Sequence, residues 1–295
     1  MKTLIIDCNA MCYRSLYSLP PDFSFGKHDT NIIFGFLKQI KKLAAEFETN
    51  KFFFCWDSKK SYRKLIYPDY KENRNKDPKV KERLKKAFPQ FIELQEDVLP
   101  WMGFKNIYSQ NGYEADDLIA YLAYRFPRDY VIVSGDEDLF QLLYDGPKIE
   151  CMMYNHKRLT RAQDLRKHFG IEANDWARVK AIAGCNTDNV KGVEGVGDLK
   201  AIAYLTGVLP EGKIKSRIEA SQDLIDFNLK LVALPYSGIQ DISIDDPVGE
   251  TFYRVEFMEV FREYGMASQL AENVFNEWCD LFYCQAGRAK QVKRV

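Results

Sequence analysis

The sequence predicts an α/β domain with a parallel sheet, followed from about Thr160 by a mostly helical part. Three observations carry that reading. Short apolar runs end on acids at "KTLIID" (Lys2 to Asp7), "KFFFCWD" (Lys51 to Asp57) and "DYVIVSGDED" (Asp129 to Asp138), each bounded as a buried parallel strand is. Helical patterns separate these runs, as strand–crossover–strand units require. Beyond Thr160 the strand signals fade while helical patterns continue.

In chain order, the run to Asp7 is the first strand and Asn31 to Phe47 the first clear helix. The run to Asp57 is the next strand, followed by a helix from about Val80 to Leu99. "GFKNIYS" adds a strand near Phe104 to Tyr108, and Tyr113 to Arg125 is helical. After the run to Asp138 come helices over Arg161 to Phe169, Trp176 to Ala183, Asp223 to Leu234, Phe252 to Tyr264 and Glu272 to Cys284. There is no internal repeat, and "GRAKQVKRV" reads as a frayed basic tail. The expected boundary therefore divides 1–159 from 160–295.

At 295 residues, with 46% hydrophobic and 28% charged residues, the chain can bury a full core as one large domain or two lobes. "MKTLIIDCNAM" places only Leu4, Ile5 and Ile6 ahead of Asp7, too little for a signal-peptide core, and no run reaches the length of a membrane span. Seven cysteines form no CxxC pair and none sits beside the three histidines. They read as reduced thiols in a cytoplasmic setting, which argues against disulfides and structural zinc. The net charge of zero hides an uneven distribution. Ser58 to Gln90 holds twelve Lys/Arg against four Asp/Glu, a local +8, so the remainder carries −8. A basic block on an acidic chain suggests a polyanion held at one place and carboxylate chemistry at another.

"GYEADDLIAYLA" (Gly112 to Ala123) crowds Glu114, Asp116 and Asp117 ahead of a helix, with no Lys or Arg between Gln110 and Tyr124. The free N–H groups and dipole of a first turn account for one or two of these acids. A hard cation arriving from elsewhere, Mg²⁺ or Mn²⁺, accounts for the rest. Ligands in open parallel sheets bind beyond the carboxyl ends of the strands. Asp7, Asp57, Asp136 and Asp138 end or follow strands, and a right-handed crossover brings Glu114, Asp116 and Asp117 to the same edge. Seven unpaired carboxylates would repel strongly, so a bound metal is the economical account. Two divalent ions about 4 Å apart are an apparatus of phosphodiester hydrolysis. No GKS/T phosphate loop and no Ser-His-Asp pattern is present.

With "LIIDCNAMCYR", "FFCWDSKKSYRKLIYPDYKENR", "YEADDLIAYLA", "VSGDEDLFQLL" and "NTDNVKGVEGVGDLKAI" in this order, the chain resembles the flap endonuclease / 5′–3′ exonuclease family. That family includes the 5′-nuclease domain of bacterial DNA polymerase I and several phage exonucleases. The resemblance covers roughly Met1 to Leu205. It implies a parallel-sheet, PIN-like nuclease core with a helical arch at about 58–90. A helix-hairpin-helix loop, in its helix-three-turn-helix form, is implied at about 188–200.

Residue by residue, it implies metal-binding roles for Asp7, Asp57, Glu114, Asp116, Asp136, Asp138 and Asp188, with Asp117 in support. Tyr70, Lys71 and Arg74 of "YKENR" match the arch base, where cations meet the scissile phosphate. On one helical face, Tyr70 would stack on a base while Lys71 and Arg74 clamp the phosphate. In "KGVEGVG", Gly192, Gly195 and Gly197 would let the backbone approach phosphates, with Lys200 as a DNA contact. The carbonyls of Lys191, Val193 and Val196 would hold K⁺. Two departures stand out. Cys185 replaces an acid expected beside the second metal, and Leu199 stands where the family usually has Lys. A thiol is a poor Mg²⁺ ligand, so the expectation is one firm site and a second, weakened one.

The expected function is a Mg²⁺-dependent (or Mn²⁺-dependent) 5′-nuclease acting on DNA 5′ ends, flaps or RNA–DNA junctions in a bacterial or phage-infected cell. A DNA polymerase or a single-strand-binding protein is the expected partner class, with no membrane involved. One alternative is a DNA-junction-binding protein with weak or no catalysis. Another is a small-molecule phosphatase, against which the basic block and hairpin loop speak.

Overall fold

The computed structural model of the chain describes residues 1–20, 24–25, 28–74, 77–155, 157–238 and 240–287. Lys76 of the basic block and 288–295 of the basic tail lie outside the described residues. The chain divides into two compact units. The first comprises Met1–Trp56, Asp77–Tyr108 and Asp245–Val295, and the second Asp57–Lys76 and Ser109–Ile244. This division does not follow a linear boundary near 160.

In the first unit, β1 (Thr3–Asp7) pairs in parallel with β2 (Phe52–Cys55), and β2 with the short β3 (Ile107–Tyr108). β1 and β2 are buried along their whole length, which is why each reads as a continuous apolar run rather than an alternating one. The helix Asn31–Glu46 starts at Thr30 without a side-chain cap of its own. Gln90, buried on the helix Pro78–Glu93, supplies the missing acceptor. Its Oε1 takes N–H bonds from Ile32 (2.9 Å) and Ile33 (3.3 Å). The expected helix from Val80 to Leu99 is helical throughout but changes to a wider π-type turn over Leu94–Val98. The residues from Asp245 belong to this unit because their aromatic side chains complete its core. Phe252 packs edge-on to Phe104 at 5.0 Å and Phe282 stacks on Phe52 at 5.9 Å. Such long-range burial leaves no trace in local periodicity.

In the second unit, β4 (Tyr130–Val133) pairs in parallel with β6 (Glu150–Asn155). β6 also pairs antiparallel with β5 (Tyr144–Asp145) and β7 (Arg158–Thr160). One pairing here is parallel and two are antiparallel, whereas β1 with β2 and β2 with β3 pair in parallel, so an antiparallel addition joins the expected parallel strands. β5 and β7 are only two and three residues long, below the window in which alternation is visible. After Thr160 the secondary structure is mostly helical, as the sequence predicts: Ala162–Phe169, Trp176–Ala183, Asp198–Leu205, Lys213–Glu219 and Gln222–Val232 here, Arg254–Glu263 and Glu272–Leu281 in the first unit. Among the described residues no helix is long and apolar enough to cross a membrane.

Candidate active site

Asp7 belongs to the first unit. It ends β1 and caps the helix Cys8–Ser18, its Oδ1 accepting from Ala10 N at 3.0 Å. The other predicted acids belong to the second unit. Asp57 Oδ1 accepts from Ala115 N at 2.8 Å, which ties the residue just beyond β2 to the first turn of the acidic helix Ala115–Arg125. Part of Asp57 reaches solvent, yet the protein mass around its carboxyl raises its pKa ahead of the opposing pull of Lys71.

Asp117 offers a metal no free oxygen, so the supporting position expected of it lies beside the ligands and not among them. It is fully buried, and both its oxygens are taken by Arg63, at 2.7 and 2.8 Å. Each oxygen also accepts a backbone N–H, from Glu114 (3.0 Å) and Tyr236 (2.8 Å). Arg63 is itself buried, donates Nε to Leu231 O at 2.7 Å, and lies 4.9 Å from the Tyr236 ring. This is a structural, bidentate pair with its hydrogen bonds filled.

The other acids are not unpaired either. Lys71 Nζ donates to Glu114 Oε2 at 2.7 Å, and Arg74 Nη2 pairs with Asp188 Oδ1. Burial works to raise the Glu114 pKa, but Lys71 and then Arg63 outweigh it and hold the carboxyl below its usual value. Burial likewise works against the charge on Lys71, and Glu114 followed by Asp188 reverses it, so its pKa is raised. The cations missing from the local sequence arrive from the arch base.

Tyr70 to Arg74 is a run of turns, not one helical face, which corrects the expected stacking arrangement. Lys71 has φ +57°, a left-handed conformation uncommon outside glycine. The turns dock on the segment Asn186–Asn189: Lys71 N donates to Asp188 O (2.9 Å), Arg74 Nε to Thr187 O (2.9 Å) and Asn189 Nδ2 to Asp69 O (2.8 Å). The Tyr70 ring is only 2% exposed, so it offers no face to a base. Its hydroxyl instead lies between two carboxylates, 3.0 Å from Glu114 Oε2 and 2.9 Å from Asp188 Oδ2.

Asp136 caps the short turn that follows β4, accepting from Asp138 N at 2.9 Å. Among the described residues, Asp138, Cys185 and Asp188 are the group whose donor atoms all lie within 4.8 Å of one another. Cys185 Sγ is 3.8 Å from Asp138 Oδ2 and 3.0 Å from Thr187 Oγ1. Burial, then Asp138 and Asp188, pushes the thiol up to about 11, so it is neutral at physiological pH. Lys180 Nζ stands 3.7 Å from Asp138 Oδ1 and 3.1 Å from Asp198 Oδ2. Burial and then Asp136 raise the Asp138 pKa, against Lys180.

The three loop glycines differ in kind. Gly192 serves packing within the chain, correcting its expected place in phosphate approach. A Cβ there would lie 2.1 Å from the Ala183 carbonyl carbon and oxygen. Gly192→Ala should therefore lower stability by about 1–3 kcal/mol or more. A urea melt with an unchanged midpoint would refute the clash. Gly195 has φ +76°, and a Cβ on Gly197 would meet open space ahead of the helix Asp198–Leu205. Lys200 Nζ donates back to Gly195 O at 2.6 Å, while Leu199 is 75% exposed. Of the three carbonyls expected to hold K⁺, that of Lys191 accepts from Asn228 Nδ2 (2.9 Å) and that of Val193 from Val196 N (3.0 Å).

Residues 2–170, more than half of the chain, match the family described as 5′-3′ exonuclease, N-terminal resolvase-like domain. The chain belongs to the 5′–3′ exonuclease family. A 5′-3′ exonuclease of Aquifex aeolicus is 35% identical over 210 residues, which cover 70% of this chain and 69% of the relative. In fold the chain is similar to T5 5′-exonuclease with bound zinc, with a TM-score of 0.65 at 20% identity over 96% of this chain and 99% of that one. It is also similar to the bacteriophage T5 flap endonuclease in a pseudo-enzyme–product complex with DNA and metal ions. That likeness has a TM-score of 0.64 at 21% identity, over 96% and 98% of the two chains.

Within this 5′–3′ exonuclease family member, sequence reading missed Arg63, Lys180 and Arg217. Arg63 and Lys180 each meet a predicted acid, and Arg217 Nη1 donates to Glu194 O in the hairpin loop at 2.7 Å. No local signal distinguishes them from the other cations of the chain. The excess of acids pointed instead to a metal ion, so no protein cation was expected to pair with them.

Proposed function

We propose that this chain is a metal-dependent 5′-nuclease that hydrolyses DNA phosphodiesters near 5′ ends, flaps or junctions, RNA–DNA junctions included. Within the family, one observation supports the reading above others: Lys71 and Arg74 sit directly on Glu114 and Asp188. Cations able to meet a phosphate and acids able to hold a divalent ion share one place.

Asp57, Glu114, Asp116, Asp136, Asp138 and Asp188 would hold the divalent ions, with Asp7 in the ligand role that its motif implies. Bound Mg²⁺ or Mn²⁺ supplies an activated water and neutralises charge on the phosphate. The chain's own groups do the rest. Lys71 stays protonated at neutral pH because its pKa is raised, and Arg74 is always charged, so both act as fixed positive charge rather than as proton acceptors. The Tyr70 hydroxyl shares one proton between Glu114 and Asp188 and holds the two acids in register.

On the helix Pro78–Glu93, the exposed Lys79, Lys81, Lys85 and Lys86 would track phosphates without reading sequence. The loop at Gly195 and Gly197, with Lys200, would meet duplex backbone in a helix-hairpin-helix manner and take K⁺ on its carbonyls. A DNA polymerase or single-strand-binding protein is the partner class that such an enzyme works beside, in the cytoplasm of a bacterial or phage-infected cell.

The test uses a labelled 5′-flap and a blunt duplex, each with Mg²⁺ and with EDTA. Cleavage is expected only with Mg²⁺. Asp116→Asn should abolish it while DNA binding stays within a few-fold, because a ligand is lost and negative charge near the phosphate is relieved. Wild-type turnover in that variant would sink the metal assignment. DNA binding without any metal-dependent product would favour the junction-binding reading instead.

A further inference from the structure

The corner formed by Asp138, Cys185 and Asp188 does not suit the ion that the rest of the site suits. Mg²⁺ takes oxygen ligands in near-octahedral geometry and keeps several waters. Here one of three converging donors is sulfur. Part of the local negative charge is also already offset: Lys180, shared with Asp198, stands 3.7 Å from Asp138, and Arg74 pairs with Asp188. Two nearby cations reduce, without removing, what a hard dication gains from these two carboxylates.

A thiophilic ion is different, because a metal–sulfur bond adds attraction that Mg²⁺ cannot use. Repulsion from Lys180 and Arg74 acts equally on all dications, so the sulfur decides between them. The backbone holds the sulfur in place. Cys185 lies in a two-residue antiparallel ladder opposite Val190, and Asp188 sits in the turn between them.

We propose that Asp138, Cys185 and Asp188 form a site for a thiophilic divalent cation (Zn²⁺, Co²⁺ or Cd²⁺) that discriminates against Mg²⁺. The proposal deepens the metal-centre reading above and rests on it for any role in cleavage. On binding, the Cys185 S–H bond breaks, its electron pair forms the sulfur–metal bond, and the proton leaves to buffer. The carboxylates displace water from the ion, and nothing is oxidised or reduced.

The experiment is an optical titration of the full chain, stripped of metal, with Co²⁺. A thiolate-to-cobalt charge-transfer band should rise to saturation at one Co²⁺ per chain, with about one proton released. Excess Mg²⁺ should leave it in place, and Zn²⁺ should bleach it. Cys185→Ser should abolish the band while Cys284→Ser keeps it. Asp188→Asn should weaken Co²⁺ binding roughly tenfold or more. No band, a band that survives Cys185→Ser, or displacement by Mg²⁺ at concentrations equal to Zn²⁺ would each overturn the proposal. The Mg²⁺ and Zn²⁺ competitions use the wild-type protein, so they decide the matter even if the serine variant fails to fold. Flap cleavage with Mg²⁺ is measured alongside. Cleavage without a band defeats this inference and leaves the nuclease reading standing, whereas a band without cleavage does the reverse.

Discussion

Arg63→Met should lower the stability of the folded chain by about 3–5 kcal/mol, the usual cost of leaving one member of a buried ion pair alone. Asp117 is fully buried and directs both oxygens at the guanidinium, so the variant strands a charge that water cannot reach. The neutral double variant Arg63→Met/Asp117→Leu should recover a large part of the loss. Burying apolar groups of similar volume costs less than burying an unpaired carboxylate, although the N–H groups of Glu114 and Tyr236 would lose an acceptor. Urea unfolding of the three proteins measures this directly. A single variant within about 1 kcal/mol of the wild type would mean that the pair contributes little.

The second large effect concerns catalysis. Lys71→Ala and Arg74→Ala should each slow cleavage by roughly a hundredfold or more, since removing one oriented charge from a transition state costs about 3 kcal/mol. Lys79→Ala and Lys85→Ala should mainly weaken DNA binding and flatten its dependence on salt. The separation follows from position. Lys71 and Arg74 are held against Glu114 and Asp188 and share their environment, whereas Lys79 and Lys85 are exposed on the outer face of a helix. Rates at saturating DNA, beside binding curves at several salt concentrations, distinguish the two classes. Four variants with the same profile would make the whole basic block a general electrostatic surface.

Much of this was legible in the chain. β1 and β2 announced themselves because strands buried on both faces must be apolar throughout, and the helices because an amphipathic period survives in sequence. The acids were legible because Asp and Glu in excess at strand ends and a helix start conflict with simple solvation. Cys185 was visible as a departure from a motif.

What only the tertiary structure decided was partnership. Glu114, Asp116 and Asp117 are neighbours in sequence with similar chemistry, yet Asp117 faces a buried guanidinium and Glu114 an ammonium from the arch base. The two acids are the N-cap and N3 residues of one helix start, on the same side of it, and Arg63 reaches both (2.7 Å to Asp117, 3.6 Å to Glu114), yet only Glu114 also meets Lys71. These partners come from segments more than forty residues away. The same reason moved Tyr70 from an expected stacking surface into a buried bridge, and Gly192 from phosphate approach to contact with Ala183. The sequence alone determined which residues carry charge, sulfur and conformational freedom. Packing decided which of those groups are neutralised within the chain, because burial, not residue type, sets how much an unmatched charge costs.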